Sequence, residues 1–495
     1  MKTFHELDEN AGRFFLRLFV AAIFVLMCCV LLVVRLYVLQ IKQFDRYHTL
    51  AEENHISLQP LVPQRGNIVD RNGVPLAWNF AAYTLEITPK QLSELGLNED
   101  KTIDALSTII AIESKDRQRY KKILKDSRSD SAPIRTHLSD EEVARFVVQR
   151  YRFPGVEVQA RLFRDYPNGS MASHLIGYIS RINDTEVKEI EERGDTLNYM
   201  GSEYIGKNGV EATYEADLHG ITGNEQVEIT AGGRKVRSLK SEASTAGNDI
   251  ELSVDFELQK VAELAFGERR GALVAIEPAT GEVLALVSMP TFDPNLFVDG
   301  ISPQNWTKLN TSLDKPLLNR AIYSAYPPGS TFKPFMALAG LTAGKRTLKQ
   351  QISDPGYFSY GGHTFMDDKK GGHGRVDVHK SIVVSCNTYY YMLANDLGID
   401  GISSFISQFG LGSLTGIDLP GEAEGVMPSQ TWKRKRFARL GPQARKWYGG
   451  ETISVGIGQG YNAYTPLQMA AAMAAIANNG KLMRPRVLRA VIDRQ

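Results

Sequence analysis

Between Leu18 and Val34 run seventeen residues without a charge, bracketed by Arg17 and Arg35. Coiled as a helix, the segment covers ~26 Å, close to the hydrocarbon thickness of a bilayer, and the two arginines can snorkel to either surface. No small-residue cleavage site follows; Arg35-Leu36-Tyr37-Val38-Leu39-Gln40 continues instead. The segment therefore predicts an uncleaved anchor ahead of a large extramembrane part. Charge does not orient it, because Lys2, Arg13 and Arg17 on one side are matched by Arg35, Lys42 and Arg46 on the other. Cys28 and Cys29 fall within the anchor and leave Cys386 alone in the remainder, which excludes an internal disulfide there.

Far downstream, Ser330-Thr331-Phe332-Lys333 follows Tyr326-Pro327-Pro328-Gly329. Three residues is nearly one helical turn, so the serine and the lysine project the same way. The run from Pro334 to Leu341 is almost wholly apolar, which predicts a buried helix, and Pro334 fits only if that helix begins near Ser330. A lysine entering a buried helix is costly to keep charged, so its pKa should fall. A neutral amine beside a hydroxyl is a general base beside a nucleophile. The bare pair is a weak signal; the turn before it and the helix after it give it weight.

A second element is Ser385-Cys386-Asn387, ahead of the aromatic stretch Thr388 to Leu393. A second serine can relay a proton, and an asparagine can hold a substrate amide through both donor and acceptor. Alone, the triplet reads equally well as a helix cap. The two motifs together make the pattern of the serine acyl-enzymes that react with penicillin, with Ser-Cys-Asn where Ser-Asp-Asn is common.

Along nearly its whole length the sequence resembles the class B penicillin-binding proteins. Arg65-Gly66-Asn67-Ile68-Val69-Asp70-Arg71-Asn72-Gly73 is similar to the first pedestal motif of that class. Arg164-Asp165-Tyr166-Pro167 with His174 to Tyr178 is similar to the second, and Gly209 to Glu215 with Leu218 and Gly220 to the third. Leu318-Asn319-Arg320-Ala321 and Gly456-Ile457-Gly458-Gln459-Gly460 also match the family pattern. The resemblance implies an α+β multidomain chain: a cytoplasmic tail over 1–17, a transmembrane anchor over 18–40, an elongated pedestal over 41–245 and a serine β-lactamase-like transpeptidase domain over 246–495. The family's third motif, a Lys-Thr-Gly or Lys-Ser-Gly triplet on a strand beside the nucleophile, does not occur in the sequence, which predicts an incomplete domain. That strand supplies one backbone donor of the oxyanion hole, and losing one such donor costs ~10²–10³ in rate.

Composition adds bounds. At 495 residues the chain is too long for one ordinary domain, and a net charge of +1 gives no reason to invoke nucleic acid. Lys433-Arg434-Lys435-Arg436 reads first as a solvated face, with contact to lipid headgroups or a partner as the lesser reading. The small, polar run from Ser241 to Asn248 predicts a domain boundary. After it, Ile250, Leu252 and Val254 alternate as in a strand, and Asp255 can cap a helix. Ala272 to Ile276 and Val283 to Val287 flank Pro278-Ala279-Thr280-Gly281-Glu282, a hairpin signal.

Asp354, Asp367, His373 and Cys386 lie between the two catalytic motifs, with His363, Asp368 and His379 as competing ligands. One imidazole, one thiolate and two carboxylates suit a closed tetrahedral zinc site, pinning a glycine-rich loop from Gly356 to Gly374. Some members of the family hold zinc at the matching residues, so the resemblance implies structural Zn²⁺ here.

The expected function is that of a single-pass inner-membrane, periplasmic D,D-transpeptidase that cross-links peptidoglycan during elongation. Ser330 would be the nucleophile, Lys333 the base, Ser385 the proton relay and Asn387 the group aligning the donor peptide. Implied partners are peptidoglycan stem peptides, β-lactams, and a membrane glycosyltransferase with other rod-elongation proteins. Two competing readings are a non-catalytic pedestal that activates such a glycosyltransferase and, less favoured, a serine β-lactamase.

Overall fold

The computed structural model describes residues 3–43, 56–126, 131–229, 235–298 and 300–494. Lys2 and Arg46, counted above for orientation, lie outside them. Helix α1 (Thr3–Tyr37) carries the apolar run and continues through a π-helical turn at Val38–Lys42. Its apolar side chains from Leu18 to Val34 are almost all exposed, and among the described residues it is the one helix long and apolar enough to cross a membrane.

Two sheets form the next part. Strand β1 (Ile56–Leu61) joins β6 (Gly223–Ile229) and β7 (Lys235–Glu242) in a three-stranded antiparallel sheet. The larger sheet is built on the long β3 (Pro75–Ile87), which pairs antiparallel with β2 (Ile68–Val69), β4 (Ala132–Leu138) and β5 (Val156–Asp165). The β3–β5 register runs unbroken from Trp78 opposite Asp165 to Ile87 opposite Val156. A helix over Asp140–Gln149 starts on a capping box between Ser139 and Glu142.

The strand anticipated at Ile250 is β8 (Asp249–Leu252); it pairs parallel with β2 and antiparallel with the late strand β13 (Leu488–Ile492), so one sheet spans both halves of the chain. Ile250 and Leu252 are buried while Asp249 and Glu251 are not, which is the alternation a one-sided strand requires. Asp255 accepts from Leu258 N at 3.1 Å and caps α2 (Phe256–Phe266). β9 (Gly271–Ile276) and β10 (Val283–Met289) form the expected hairpin.

The three pedestal motifs meet in one buried ion cluster. Arg164 Nε and Arg65 Nε donate to the two oxygens of Glu211 at 2.7 and 2.8 Å, Arg65 also reaches Glu215 at 2.6 Å, and Tyr166 Oη donates to Glu211 at 3.1 Å. Burial alone would raise the Glu211 carboxyl; Arg164 and Arg65 overcome that and hold it below its usual range. Around the cluster lies a core shared by both halves, with Ile68, Leu76, Val210, Ile250, Leu286 and Leu467 all buried.

A second core holds the functional region. Helix α3 (Lys333–Thr342) packs against α4 (Asn387–Ile406) through Phe335, Met336, Tyr390 and Leu393. A Cβ on Gly340 would sit 2.8 Å from Leu393, so glycine permits the close approach of the two helices.

The stretch from Gly356 to Gly374, expected as a loop, is partly ordered. It contains a hairpin of β11 (Tyr357–Tyr360) and β12 (His363–Met366) closed by Gly361-Gly362. Both glycines have positive φ, 59° and 82°, as a tight two-residue hairpin turn demands.

Candidate active site

Ser330 lies in a 3-10 turn, Gly329–Phe332, directly before α3, and Pro334 occupies the first helical turn, where its missing N–H costs nothing. Ser330 is exposed, whereas Lys333 is only 1% exposed. The sequence reading put the amine next to the nucleophile; the structure inserts Ser385 between them. Lys333 Nζ donates to Ser385 O at 2.5 Å, Asn387 Oδ1 at 2.6 Å and Ser385 Oγ at 3.0 Å, and Ser385 Oγ bonds Ser330 Oγ at 2.8 Å. All four residues predicted for catalysis thus form one connected chain of hydrogen bonds.

Burial lowers the Lys333 pKa, opposed by the negative potential of Asp367, Asp368 and Cys386. As an ammonium, the side chain satisfies all three donors. Once neutral, it has a lone pair that can accept from Ser385 Oγ, which then accepts from Ser330 Oγ. The same contacts can therefore carry a proton from Ser330 to Lys333.

Ser385 adopts φ 56°, a left-handed conformation that costs a non-glycine residue about 1–2 kcal/mol. The next residue, Cys386, is buried and caps α4, its sulfur accepting from Tyr389 N at 3.4 Å. The strained serine is therefore held between the lysine amine and the start of a buried helix.

The turn before Ser330 is gripped from behind. Gly329 N donates to Gly458 O at 3.0 Å, and Tyr326 and Tyr464 exchange backbone bonds at 2.9 Å each. Gly458, at φ 73°, approaches so closely that a Cβ there would fall 2.2 Å from Gly329 O. The sequence singled out the Gly456–Gly460 run without giving it a role; here it sets the backbone of the nucleophile's turn.

Asp354, Asp367, His373 and Cys386 converge, with one ligand atom from each within 4.8 Å of the rest. Cys386 Sγ lies 3.4 Å from Asp354 Oδ2 and 3.6 Å from Asp367 Oδ2, and His373 Nδ1 lies 3.6 Å from Asp367 Oδ1. Edges of roughly 3.3–3.7 Å are those of a tetrahedron around zinc, so the donor set fits that ion. A fourth separation, His373 Nδ1 to Asp354 Oδ2 at 2.9 Å, is shorter and is a direct hydrogen bond. Thr388 N and Gly356 N hold Asp367 and Asp354 in place at 2.6 and 2.8 Å. Burial pushes the Cys386 thiol up, and the neighbouring carboxylates push it further. Of the competing candidates, His363 packs edge-on against Phe365 and His379 is exposed; Asp368 lies beside Asp367, bonding it through backbone and side chain, but is not one of the four converging ligands.

A pedestal sharing a sheet with a catalytic unit, and a serine–lysine pair bridged by a second serine, define a penicillin-binding transpeptidase. The family model described as Penicillin binding protein transpeptidase domain matches residues 271–495, and that of the Penicillin-binding Protein dimerisation domain matches residues 60–252. The Peptidoglycan D,D-transpeptidase MrdA of Acinetobacter baumannii is 45% identical over 477 residues, covering 96% of this chain and 69% of that protein. Penicillin-Binding Protein (PBP2) of Helicobacter pylori, solved in complex with MreC, superposes with a TM-score of 0.75 at 30% identity, over 88% of this chain and 80% of that one. A chain solved in a study of polymerization and crosslinking by a peptidoglycan synthase complex covers 96% of this chain and 80% of its own, with a TM-score of 0.67 at 29% identity. The chain belongs to the class B penicillin-binding protein 2 (MrdA) transpeptidase family.

Proposed function

We propose that this protein is a peptidoglycan D,D-transpeptidase acting through an acyl-enzyme on Ser330. The observation that carries the reading is the hydrogen-bonded line from Ser330 Oγ through Ser385 Oγ to the buried Lys333 amine. Ser330 Oγ attacks the carbonyl of the D-Ala–D-Ala bond while its proton passes through Ser385 to neutral Lys333. The peptide C–N bond breaks, the proton returns by the same route to the departing amine, and D-alanine leaves. The amine of a neighbouring stem peptide then attacks the ester, a new amide forms, and the proton it sheds restores the Ser330 hydroxyl. Asn387, bonded to Lys333, presents its amide to the donor peptide.

The four-residue cluster is read as a structural zinc site: Asp354, Asp367, His373 and Cys386 would hold the ion, which supplies rigidity and no chemistry to the reaction. Its value lies in Cys386, which stands between Ser385 and Asn387 and so ties the second motif to the β11–β12 hairpin. The apolar helix α1 would span the inner membrane with the bulk of the chain in the periplasm. The MreC complex of the Helicobacter protein and the synthase complex support partners of the elongation machinery here; a membrane glycosyltransferase among them rests on the family resemblance.

The direct test is labelling by fluorescent penicillin, a mimic of the scissile bond, in the full-length protein. Wild type should form a long-lived adduct and Ser330→Ala none; full labelling of the alanine variant would refute the assignment. Rapid turnover of nitrocefin would favour a β-lactamase instead. Pull-down of a glycosyltransferase by Ser330→Ala protein would separate scaffolding from catalysis.

A further inference from the structure

Residues 430–448 contain seven lysines and arginines and no aspartate or glutamate, although the whole chain balances 57 basic residues against 56 acidic ones. Helix α5 (Gln430–Arg436) opens this stretch, and α6 (Gly449–Val455) follows it. One of the seven cations is used inside the protein. Lys433 is buried, bonds Glu451, and lies 5.2–5.7 Å from the ring centres of Tyr448, Tyr461 and Trp447. The other six, Arg434, Lys435, Arg436, Arg439, Arg445 and Lys446, are exposed, and none has an ion-pair partner among the described residues.

This basic shelf is not a loose flap. Trp432 and Phe437 pack on Tyr461 at 5.2 and 6.0 Å, and Trp447 Nε1 bonds Thr452 at 2.8 Å. Tyr461 adjoins the loop whose Gly458 carbonyl bonds Gly329, the residue before the nucleophile. Six like charges fixed on a rigid support raise the local potential and repel one another, a cost that an anionic ligand would relieve. Solvation accounts for their exposure but not for the exclusion of acids over 19 residues.

We propose that the shelf binds the carboxylate-bearing stem peptides of peptidoglycan outside the reacting site, delivering the strand to the Ser330 turn. This rests on the transpeptidase reading, because the substrate of that reaction is a polymer with a peptide, and hence free carboxylates, on successive repeats. Recognition is electrostatic and so concerns capture of the strand more than its chemistry.

The test is co-sedimentation of the full-length protein in detergent with lipid-free sacculi, with amidase-stripped glycan strands that lack peptides, and with vesicles containing anionic phospholipid. Wild type should bind sacculi, should lose that binding as salt rises from ~0.01 to ~1 M and the screening length falls from roughly 30 to roughly 3 Å, and should ignore stripped glycan. The variant Arg434→Ser/Arg436→Ser/Arg439→Ser/Lys446→Ser should bind sacculi roughly tenfold more weakly, with penicillin labelling of Ser330 reporting that it is folded. Should that variant fail to fold, Arg445→Ser/Lys446→Ser and the salt series of the wild type carry the decision. Undiminished binding by the variant, salt-independent binding, or equal binding to stripped glycan would each overturn the proposal. Loss confined to the anionic vesicles would overturn it in favour of a lipid surface. Failure of wild type to label with penicillin would count against the transpeptidase reading alone, since the shelf is judged by binding.

Discussion

In the proposed mechanism Lys333 has two incompatible tasks, to donate three hydrogen bonds as a cation and to accept a proton as a base, and its environment sits between them. Burial lowers its pKa while the acidic cluster behind Ser385 raises it, and the net direction is downward. The active form is the neutral one, so the rate of Ser330 acylation by penicillin should rise with pH through a midpoint below the ordinary lysine value. Lys333→Ala should remove that limb and cost roughly 10²–10⁴ in acylation rate, measured by stopped labelling across pH. Ser385 offers a cleaner separation of stability from chemistry. Its left-handed backbone penalises any side chain, so Ser385→Gly should be more stable than Ser385→Ala by about 1 kcal/mol, read from thermal melts, while both lose the relay and label slowly. The serine–lysine pair was legible because three residues of spacing is a local property. The place of Ser385 between them was not, because it depends on a contact across 55 residues, and nothing in a serine's identity announces a positive φ.

At the level of elements, the hairpin from Tyr357 to Met366 is flanked by two of the proposed zinc ligands, Asp354 before it and Asp367 after it. Its strands are short, and most of its side chains are exposed, so four pairs of facing residues give it little stability of their own. The proposed metal, tying its base to Cys386, would supply what the apolar contacts do not. Dialysis of the purified protein against a strong chelator should remove one zinc per chain by native mass spectrometry. It should also raise hydrogen exchange selectively across residues 354–376 and the start of α4, leaving the pedestal strands β3 and β5 protected. Retention of full protection in metal-free protein would remove the structural role for zinc. The proposed ligands are legible as residue types between two motifs, and the resemblance selects four from seven. The hairpin was not read, although Gly361-Gly362 between Tyr357-Phe358-Ser359-Tyr360 and His363-Thr364-Phe365-Met366 carries the signal of a tight turn; the abundance of glycine around it argued for a loop.

Over the whole molecule, the two halves are not independent beads on an anchor. β8 and β13 from the later part of the chain extend the sheet begun by β2 and β3, and the core over that sheet draws residues from Ile68 to Val487. The motif order in the sequence disclosed a pedestal and a catalytic unit but not this shared sheet, because β2 is two residues long and has no period to read. At the centre of the junction lies Glu211, fully buried and bonded to arginines from two other motifs. Removing its charge leaves the buried Arg164 without its carboxylate partner and Arg65 with Glu215 alone, so Glu211→Gln should cost about 3–5 kcal/mol. The sign with pH follows from the lowered Glu211 pKa. Its contribution is complete above the ordinary carboxylate range and disappears as pH falls through the depressed folded value, as the carboxylate takes up its proton. Thermal melts of wild type should therefore lose stability below that range more steeply than those of Glu211→Gln, the two curves converging in acid. Because the cluster joins pedestal strands to the sheet that α2 and β10 pack upon, the variant should lower the melting of both halves together. A variant that destabilised residues 56–245 while leaving penicillin labelling of Ser330 at its wild-type melting temperature would show instead that the halves unfold separately.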